Sequence, residues 1–369
     1  MSDRARAPID LAAVRHNAAT LARAAGRARL MAVVKADGYG HGAVPAARAA
    51  LEGGADRLGV ATVGEAEALR AAGIAADLLV MGPLRGGEWA RAAGARAEVA
   101  VWTPEGAAAA AGTDARSAVH LKLDTGMGRL GARLEDVGAL ADAVASAGDA
   151  IAVVGLMSHF ASADETGGEN AGFMSEQLVR FRAAAAGLRD RFPGVRTHIA
   201  NSAATLREPG TTLDMVRCGI AVYGCDPFGV DPDQHGLRPA MSLVSYLASV
   251  KTLRSRESVG YGRVWRAARG TRVGVVPVGY ADGYARALSG RADALVGGRR
   301  VPVIGTISMD QLTVDLGPEG TEGVGEEVVL IGRQGGERVT AEDVARWRGT
   351  INYEVTCGIG PRVPRVHEG

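Results

Sequence analysis

The stretch LMAVVKADGYGHGA, residues 30–43, contains the pattern on which the fold prediction rests. A short apolar run ends at Lys35, a glycine-rich turn follows it, and an alanine-rich segment of helical composition begins near residue 43. An apolar run of this length, bounded by a turn, is consistent with a buried strand. The stretch therefore predicts one βα unit.

The same alternation recurs through the first 230 residues. Segments of helical composition, including 10–25, 43–53, 64–72, 133–147 and 169–190, separate short apolar runs. Eight βα repeats favour a closed, TIM-like (β/α)8 barrel over an open sheet, so the predicted fold class is α/β. The eight strand-like runs lie near 30–35, 57–61, 77–81, 98–102, 118–123, 151–158, 196–200 and 215–222.

The composition changes after residue 230. The stretch DPFGVDPDQHGLRP, residues 226–239, is rich in Pro, Asp and Gly and is typical of a linker. Apolar β-type stretches follow it, with one short helix expected at 340–348. We predict a barrel domain over residues 10–230 and a mostly β C-terminal domain over residues 231–369, with residues 1–9 as a candidate addition to the second.

Composition and charge exclude several classes of protein. Apolar residues make up 47%, charged residues 22%, and the formal net charge is +1. Such a balance gives no global field to attract nucleic acid or an anionic membrane, and no apolar run approaches the length of a membrane span. Cys218, Cys225 and Cys357 have neither a disulfide pattern nor metal-ligand spacing. We therefore expect a cytoplasmic protein without a metal.

Lysine usage singles out three positions. Of 42 basic residues, only Lys35, Lys122 and Lys251 are lysines. Arginine replaces lysine wherever a plain positive charge suffices, but it cannot lose its proton and so cannot form a Schiff base. The surviving lysines, and Lys35 above all, are candidates for chemistry that arginine cannot perform.

Polar residues stand where the predicted barrel strands end. Lys35 ends the first strand, Lys122 leads the fifth into LDTGMGRLG, and His159 follows the sixth; Asn201 and Ser202 follow the seventh, and Arg217 lies in the eighth. Catalytic groups of such barrels lie at the C-terminal ends of the strands. This ring of residues therefore indicates an active site.

Together these motifs resemble those of the alanine racemases. The segment VVKADGYGHGA, residues 33–43, is similar to that family's site of attachment for pyridoxal 5'-phosphate (PLP). The resemblance implies a PLP-binding barrel joined to a β domain and a homodimer with shared sites. It also implies interconversion of L- and D-alanine, with D-alanine supplied to peptidoglycan. The other matching motifs, in family order, are LKLDTGMGRLG (121–131), LMSHFASAD (156–164), NSAA (201–204), MVRCGIAVYG (215–224), GYGR (260–263), VGYADGY (278–284), GTISMDQ (305–311) and INYEV (351–355).

The resemblance also assigns the catalytic residues. Lys35 corresponds to the Schiff-base lysine, which acts as acid and base on the face that serves the D-enantiomer. Tyr261 corresponds to the base on the other face, which serves the L-enantiomer. Arg217 corresponds to the residue that faces the pyridine nitrogen; because arginine can only donate, the nitrogen stays unprotonated. A hydrogen-bond chain from Tyr261 through His159 to Arg217 would favour the phenolate form of the tyrosine.

The remaining assignments concern the cofactor and the substrate. Lys122 corresponds to a lysine that carries a carbamate in many relatives, which would let it pair with Arg129. Tyr284 is expected to line the mouth of the site. The expected cofactor-binding residues are Lys35, Tyr39, Arg129, His159, Asn201, Ser202, Arg217, Gly219, Ile220 and Tyr353, and the expected substrate contacts are Arg129, Met309 and Asp310.

Other functions stay open at this point. A serine or broader amino-acid racemase would have the same architecture, and spacing does not set the size of the substrate pocket. A non-catalytic PLP-binding barrel would not need a β domain with Tyr261 and Met309. A basic amino-acid decarboxylase has a different lysine motif, and a PLP-independent aldolase would not need Arg217.

Overall fold

A computed structural model describes residues 4–369 apart from 166, 168, 169 and 171. The chain divides into two units. One comprises Val14–Gly38 and Ala43–Val222, and the other comprises the N-terminal residues through Ala13, the segment Tyr39–Gly42, and Tyr223–Gly369. We call them the barrel unit and the β unit.

The strands are short, as expected for a barrel and a small β domain. In chain order they are β1 (Ala7–Asp10), β2 (Arg29–Val33), β3 (Arg57–Val60), β4 (Asp77–Val80), β5 (Ala97–Val101), β6 (Ser117–Asp124), β7 (Ala132–Arg133), β8 (Ile151–Met157), β9 (Arg196–His198), β10 (Met215–Cys218), β11 (Leu243–Tyr246), β12 (Ser249–Leu253), β13 (Ser258–Val259), β14 (Trp265–Arg266), β15 (Thr271–Val276), β16 (Asp293–Val296), β17 (Arg299–Ile304), β18 (Leu312–Gly317), β19 (Glu327–Gln334), β20 (Glu337–Val339) and β21 (Arg365–Glu368).

Helices follow most of the barrel strands. In chain order the helices of the two units are α1 (Leu11–Ala25), the single turn α2 (Lys35–Tyr39), α3 (Ala43–Glu52), α4 (Val63–Ala71), α5 (Glu88–Gly94), α6 (Pro104–Ala111), α7 (Val137–Ser146), α8 (Phe173–Arg191), α9 (Ser202–Arg207), α10 (Ala341–Arg348) and α11 (Asn352–Cys357). Among the described residues, no helix is both long and apolar enough to cross a membrane.

Eight parallel strands of the barrel unit pair in the order β10, β2, β3, β4, β5, β6, β8 and β9. The first and last strands of this order also meet, because the backbone N–H groups of Asp214 and Arg217 donate to the carbonyl oxygens of Thr197 and Ala200 at 3.1 and 2.9 Å. Buried Met31, Leu79, Ala100, Met157 and Met215 pack together as a core cluster. The eight-stranded barrel predicted from the sequence is confirmed.

Local signals explain where several barrel helices begin. Thr62 and Thr103 cap α4 and α6, and in each case the threonine hydroxyl accepts a hydrogen bond from the first turn. At α4 the Glu65 carboxylate in turn accepts a hydrogen bond from the backbone N–H of Thr62, which completes a capping box. Pro104 occupies the first turn of α6, where its missing N–H costs nothing.

The β unit contains an antiparallel sheet in the order β11, β19, β16, β17, β18, β15 and β12, with β20 paired to β19. Strand β1 pairs in parallel with β21, so the residues just after the N-terminus belong to this unit. Strands β13 and β14 form a separate two-stranded hairpin. A mostly β second domain is therefore confirmed.

Candidate active site

Lys35 follows the barrel strand β2 and begins a turn whose next four residues have left-handed backbone conformations. Ala36, Asp37, Gly38 and Tyr39 all have positive φ, at 53°, 51°, 63° and 53°. A left-handed conformation costs a non-glycine residue about 1–2 kcal/mol, and three of these four have side chains. Strain of this kind persists only where surrounding contacts enforce it, and it concentrates at functional sites.

Two carboxylates of the barrel unit enforce this turn. The Glu65 Oε1 atom accepts a hydrogen bond from the backbone N–H of Ala36 at 2.7 Å. The Asp37 Oδ1 atom accepts one from the backbone N–H of Ala43 at 2.8 Å, which ties the turn to the start of α3. The turn therefore fixes the direction in which the chain leaves Lys35.

The loop after β6 is shaped by glycines around Asp124. The Asp124 carboxylate accepts hydrogen bonds from the backbone N–H groups of Gly126 and Gly128 at 2.9 and 3.2 Å. Gly131 has a φ of 132°, and a Cβ there would lie 2.6 Å from the Asp124 nitrogen. This closely folded loop carries Arg129, whose charge acts on the buried Lys122.

A buried glutamine joins the loops after β6 and β8. The Gln177 Nε2 atom donates to the backbone oxygen of His159 at 3.0 Å and to Thr125 Oγ1 at 3.4 Å. Its Oε1 atom accepts from the backbone N–H of Ala161 at 2.9 Å. Gln177 thereby holds His159 in place.

Arg217 is 4% exposed and is held by the neighbouring strand β9 and by the segment that follows β8. Its Nη1 atom donates to His198 Nδ1 at 2.8 Å, and its Nη2 atom donates to the Ser158 oxygen at 2.7 Å and to His159 Nδ1 at 3.0 Å. Burial lowers the pKa of Arg217 to about 10, so the guanidinium stays protonated at neutral pH. It is a fixed, charged hydrogen-bond donor.

The contact with Arg217 also defines the state of His159. Burial lowers the pKa of His159 well below its usual value, and the nearby charges of Arg217 and Arg129 lower it further. The ring is therefore neutral at neutral pH. Because arginine can only donate, His159 Nδ1 must accept, and the ring proton lies on Nε2.

Lys122 is 6% exposed on β6, with its Nζ atom 5.9 Å from the centre of the Trp102 ring. Burial lowers the pKa of Lys122 to about 8, with further lowering by the charges of Arg217, Arg129 and Lys35. Lys122 therefore lies within electrostatic reach of three other cations, and the charge of the Asp124 carboxylate raises its pKa. Such a cluster favours an anionic ligand.

The segments after β9 and within β10 meet in a compact turn. Asn201 caps α9, because its Oδ1 atom accepts from the backbone N–H of Ala204 at 3.0 Å. The backbone N–H of Gly219 donates to Ser202 Oγ at 3.0 Å, and Ile220 is fully buried next to it. Ser202, Gly219 and Ile220, three of the predicted cofactor-binding residues, thus lie together.

Two other predicted cofactor residues lie together in the β unit. The ring centres of Tyr39 and Tyr353 are 6.1 Å apart, and Tyr223 packs 5.1 Å from Tyr39. His41 is fully buried and stacks on Tyr223 at 4.5 Å. The fold thus brings two tyrosines from motifs that are distant in the sequence into one aromatic cluster.

Tyr261 stands in the loop between β13 and β14 and is 74% exposed. The backbone oxygen of Tyr261 accepts a hydrogen bond from Thr306 Oγ1 at 3.0 Å. Gly260 has a φ of 73°, and a Cβ there would lie 3.0 Å from the Thr306 nitrogen. The loop therefore presents the Tyr261 side chain outward while its backbone is held to the segment that leads to Met309.

Met309, three residues after Thr306, is 53% exposed. The Met309 backbone oxygen accepts from the N–H of Ala281 at 3.0 Å, and the Asp310 carboxylate accepts from Arg362 at 2.7 Å. Tyr284, expected at the mouth of the site, is instead 1% exposed, whereas Tyr280 in the same segment is 42% exposed. The expectation for Tyr284 was wrong because its side chain is buried.

The structure thus brings Lys35, Arg129 and Arg217 of the barrel unit within electrostatic reach of both Lys122 and His159, and it adds other residues. Motif matching had missed Glu65, Gln177 and His198, which position Lys35, His159 and Arg217. The sequence did contain a signal for such residues. A polar side chain within a predicted buried strand or helix needs a hydrogen-bond partner, so it marks a position where a contact is required. Among the described residues, no group of three His, Cys, Asp or Glu could hold a metal ion.

The two units match two sequence families. The family described as "Alanine racemase, N-terminal domain" matches residues 9–227, and "Alanine racemase, C-terminal domain" matches residues 240–367. An alanine racemase of Streptomyces coelicolor is 48% identical over 382 residues, covering 99% of this chain and 96% of that protein. One from Symbiobacterium thermophilum is 45% identical over 372 residues, covering 98% and 97%.

Solved structures agree with these matches. The crystal structure of alanine racemase from D-cycloserine-producing Streptomyces lavendulae aligns with a TM-score of 0.94 at 43% identity, covering 100% of this chain and 98% of that one. The Bacillus anthracis alanine racemase with bound L-Ala-P aligns with a TM-score of 0.91 at 35% identity, covering 100% and 96%.

Proposed function

The chain belongs to the alanine racemase family, and on that premise we propose that it interconverts L- and D-alanine with PLP, using Lys35 and Tyr261 as acid and base on opposite faces of the substrate. The racemisation of alanine itself follows from relatives that match nearly the whole chain. The residue roles rest on the geometry of the two units. The observation that carries them is Lys35 at the end of β2, next to the paired strand β10 that carries the buried, donor-only Arg217.

The barrel unit fits PLP by charge and by donor type. The cations Lys35, Lys122, Arg129 and Arg217 would attract its phosphate ester and ring oxygen, while Ser202 and Gly219 lie in a turn suited to phosphate. When bound, PLP would withdraw electrons from the Cα of the amino acid and so acidify its hydrogen. Asn201 and Ile220 would complete the part of the binding site that the barrel unit supplies.

Each catalytic side chain then has one task. Lys35 would attach the cofactor and carry a proton at Nζ, since a lysine amine can lose its proton whereas arginine cannot. Arg217 would donate to the pyridine nitrogen without protonating it, which limits side reactions that need a protonated ring. Arg129 and the Met309 backbone would hold the substrate carboxylate and fix its orientation, with Asp310 alongside.

Tyr261 would serve the opposite face. A phenol is almost wholly protonated at neutral pH, so it needs a partner that stabilises the phenolate. His159 carries its proton on Nε2, because Arg217 occupies Nδ1, and so offers a donor to the tyrosine oxygen. The hydrogen bonds from Arg217 to His159 and from His159 to the tyrosine oxygen would therefore favour the phenolate form of Tyr261, which can act as a base.

A homodimer accounts for the exposure of the β unit's site residues. Tyr261, Tyr280 and Met309 are exposed by 74%, 42% and 53%, which is unusual for neighbouring large apolar side chains. We propose that a second copy of the chain covers them and that Tyr261 and Met309 act in the barrel of that second protomer.

Mixing two inactive variants is expected to restore activity in such a dimer. Lys35→Ala and Tyr261→Phe protomers, dissociated and re-associated together, give hybrids with one doubly defective site and one intact site. Random pairing should recover about a quarter of the wild-type rate. If Tyr261 acted in its own chain, every site would retain one defect and no activity would return.

Carbamate formation at Lys122 is expected to increase as the pH rises through about 8, the pKa of that amine. Only the neutral amine attacks CO2; an N–C bond forms, a proton leaves and an anion results. With ¹³C-bicarbonate, the ¹³C NMR spectrum should show a carbamate signal that Lys122→Arg abolishes and Lys251→Arg keeps. A wild-type spectrum without that signal above pH 8 would contradict the assignment.

The substrate is tested by a chiral assay of the purified holoenzyme with alanine, serine and larger amino acids. Alanine is expected to give the highest kcat/KM. A higher value for serine would favour the alternative, a serine or broader racemase. Bound PLP with no turnover of any amino acid would favour a non-catalytic PLP protein.

A further inference from the structure

A continuous line of hydrogen bonds crosses the interior of the barrel unit and ends at Arg217. Arg57 Nη2 donates to Glu98 Oε1, Glu98 Oε2 pairs with His120 Nε2 at 2.7 Å, and His120 Nδ1 pairs with His198 Nε2 at 2.8 Å. His198 Nδ1 then meets Arg217 Nη1 at 2.8 Å. These residues come from β3, β5, β6, β9 and β10 in turn.

Donor and acceptor chemistry allows only one arrangement of protons along this line. Arg217 only donates, so His198 Nδ1 accepts and its Nε2 carries the ring proton. That Nε2–H donates to His120 Nδ1, so the proton of His120 lies on Nε2 and is donated to the Glu98 carboxylate. Both imidazoles are therefore neutral and both have the same tautomer.

No second arrangement satisfies all of these contacts. A doubly protonated His120 would donate from Nδ1, and His198 would then have to accept at both nitrogens, which a neutral imidazole cannot do. Burial lowers the pKa of both rings, which agrees with their neutral state. Burial would raise the pKa of Glu98, but His120 and Arg57 together lower it, so the carboxylate is ionised.

A glycine in β8 makes room for this line. A Cβ at Gly155 would lie 2.0 Å from His120 Nδ1 and 2.9 Å from its Cγ, so another residue would displace the ring itself. Glycine weakens a strand interior and often marks the close approach of another group. The absence of a side chain at Gly155 therefore leaves the space that the His120 ring needs to stay in the line of hydrogen bonds.

We propose that Glu98 is a positioning residue for Arg217, acting through His120 and His198 as a line of hydrogen bonds with fixed direction. The carboxylate polarises both imidazoles, which makes His198 Nδ1 a strong acceptor for the guanidinium. Arg217 is thereby kept charged and oriented, with Nη2 left to donate to His159. The tautomers follow from the hydrogen-bond contacts alone. Only their contribution to catalysis rests on the proposed function.

The first test reads the tautomers in the wild-type holoenzyme. A two-bond ¹H–¹⁵N correlation spectrum of histidine-labelled protein distinguishes Nδ1–H, Nε2–H and doubly protonated rings, and the chain has only 7 histidines. His120 and His198 signals are identified by single substitution to asparagine. Nε2–H is expected for both rings, and Nδ1–H or double protonation of either ring would overturn the proposal.

The second test is Glu98→Gln. The amide offers one acceptor to two donors, and the charged Arg57 should win it because charge-assisted bonds are the stronger ones. The NH2 group would then donate to His120 Nε2, so that the protons of His120 and His198 both move to Nδ1. The Nδ1–H of His198 would then face the guanidinium of Arg217, which is also a donor. Unchanged Nε2–H signals for both rings would overturn the proposal. Asp77→Asn is the matched control, since Asp77 also accepts from Arg57, at 2.9 Å, but lies outside the line.

Kinetics separate positioning from folding. Glu98→Gln is expected to lower kcat by about ten- to a hundredfold, the range for one charged hydrogen bond, with PLP still bound. Glu98→Asp should restore part of the rate and the original tautomers, and Asp77→Asn should leave both unchanged. Equal kcat for wild type and Glu98→Gln would refute the catalytic role. If Glu98→Gln does not fold, Gly155→Ala, which moves His120, should disturb the same signals; unchanged signals would count against the proposal.

Discussion

Replacing Lys35 with alanine is expected to remove racemase activity by about 10⁴-fold or more and to end covalent attachment of the cofactor. General acid–base catalysis alone contributes about 10²–10⁴-fold, and loss of attachment adds to it. Lys35 is the lysine that stands at a barrel strand end in a strained left-handed turn. Chiral assay of alanine and absorbance of bound PLP measure both losses.

Two control variants separate chemistry from charge. Lys35→Arg keeps the positive charge but cannot attach the cofactor, so it should be as inactive as Lys35→Ala. Lys251→Ala alters an exposed residue on β12 and should leave the rate unchanged. Borohydride reduction followed by peptide mapping should place the label on Lys35; label on Lys122 or Lys251 instead would refute the assignment.

Sequence pattern predicted the barrel strands well because buried parallel strands are continuous apolar runs bounded by turns. The runs at 57–61 and 77–81 became Arg57–Val60 and Asp77–Val80. The run at 215–222 ended early, at Cys218, because the residues after Gly219 turn away from the sheet. The helix expected at 133–147 began only at Val137, since Ala132 and Arg133 first pair with β6.

Other features depend on contacts that local pattern does not show. The left-handed turn after Lys35 was not predicted, because Ala36 and Tyr39 rarely adopt positive φ and the enforcing Glu65 is 29 residues away along the chain. The helix Asn352–Cys357 was also missed, since INYEV has the composition of a strand.

The line of hydrogen bonds to Arg217 lay within runs that had been interpreted only as strands. Glu98 and His120 stand among apolar residues in AEVAV and SAVHLKLD. A charged or titratable side chain in a buried strand needs a partner, but sequence alone does not say which strand supplies it. The barrel topology does, by placing β5, β6, β8 and β9 side by side.

Replacing Tyr261 with phenylalanine is expected to lower racemisation by about 10²–10⁴-fold in both directions, because each direction needs a proton removed on one face and returned on the other. The side chain is 74% exposed in the single chain, so folding and PLP binding should survive. Any remaining activity must still end at a racemic mixture, since the two enantiomers have equal free energy in water.

The measurement that tests the two-base account most directly is α-hydrogen exchange in D2O, followed by ¹H NMR with the Tyr261→Phe holoenzyme. The account predicts that D-alanine still exchanges, because Lys35 can remove its proton and return a deuteron on the same face. Exchange from L-alanine should fall far more, because its α-hydrogen faces the missing phenol. Equal loss of exchange from both enantiomers, with the cofactor still bound, would contradict the assignment of Lys35 and Tyr261 to opposite faces.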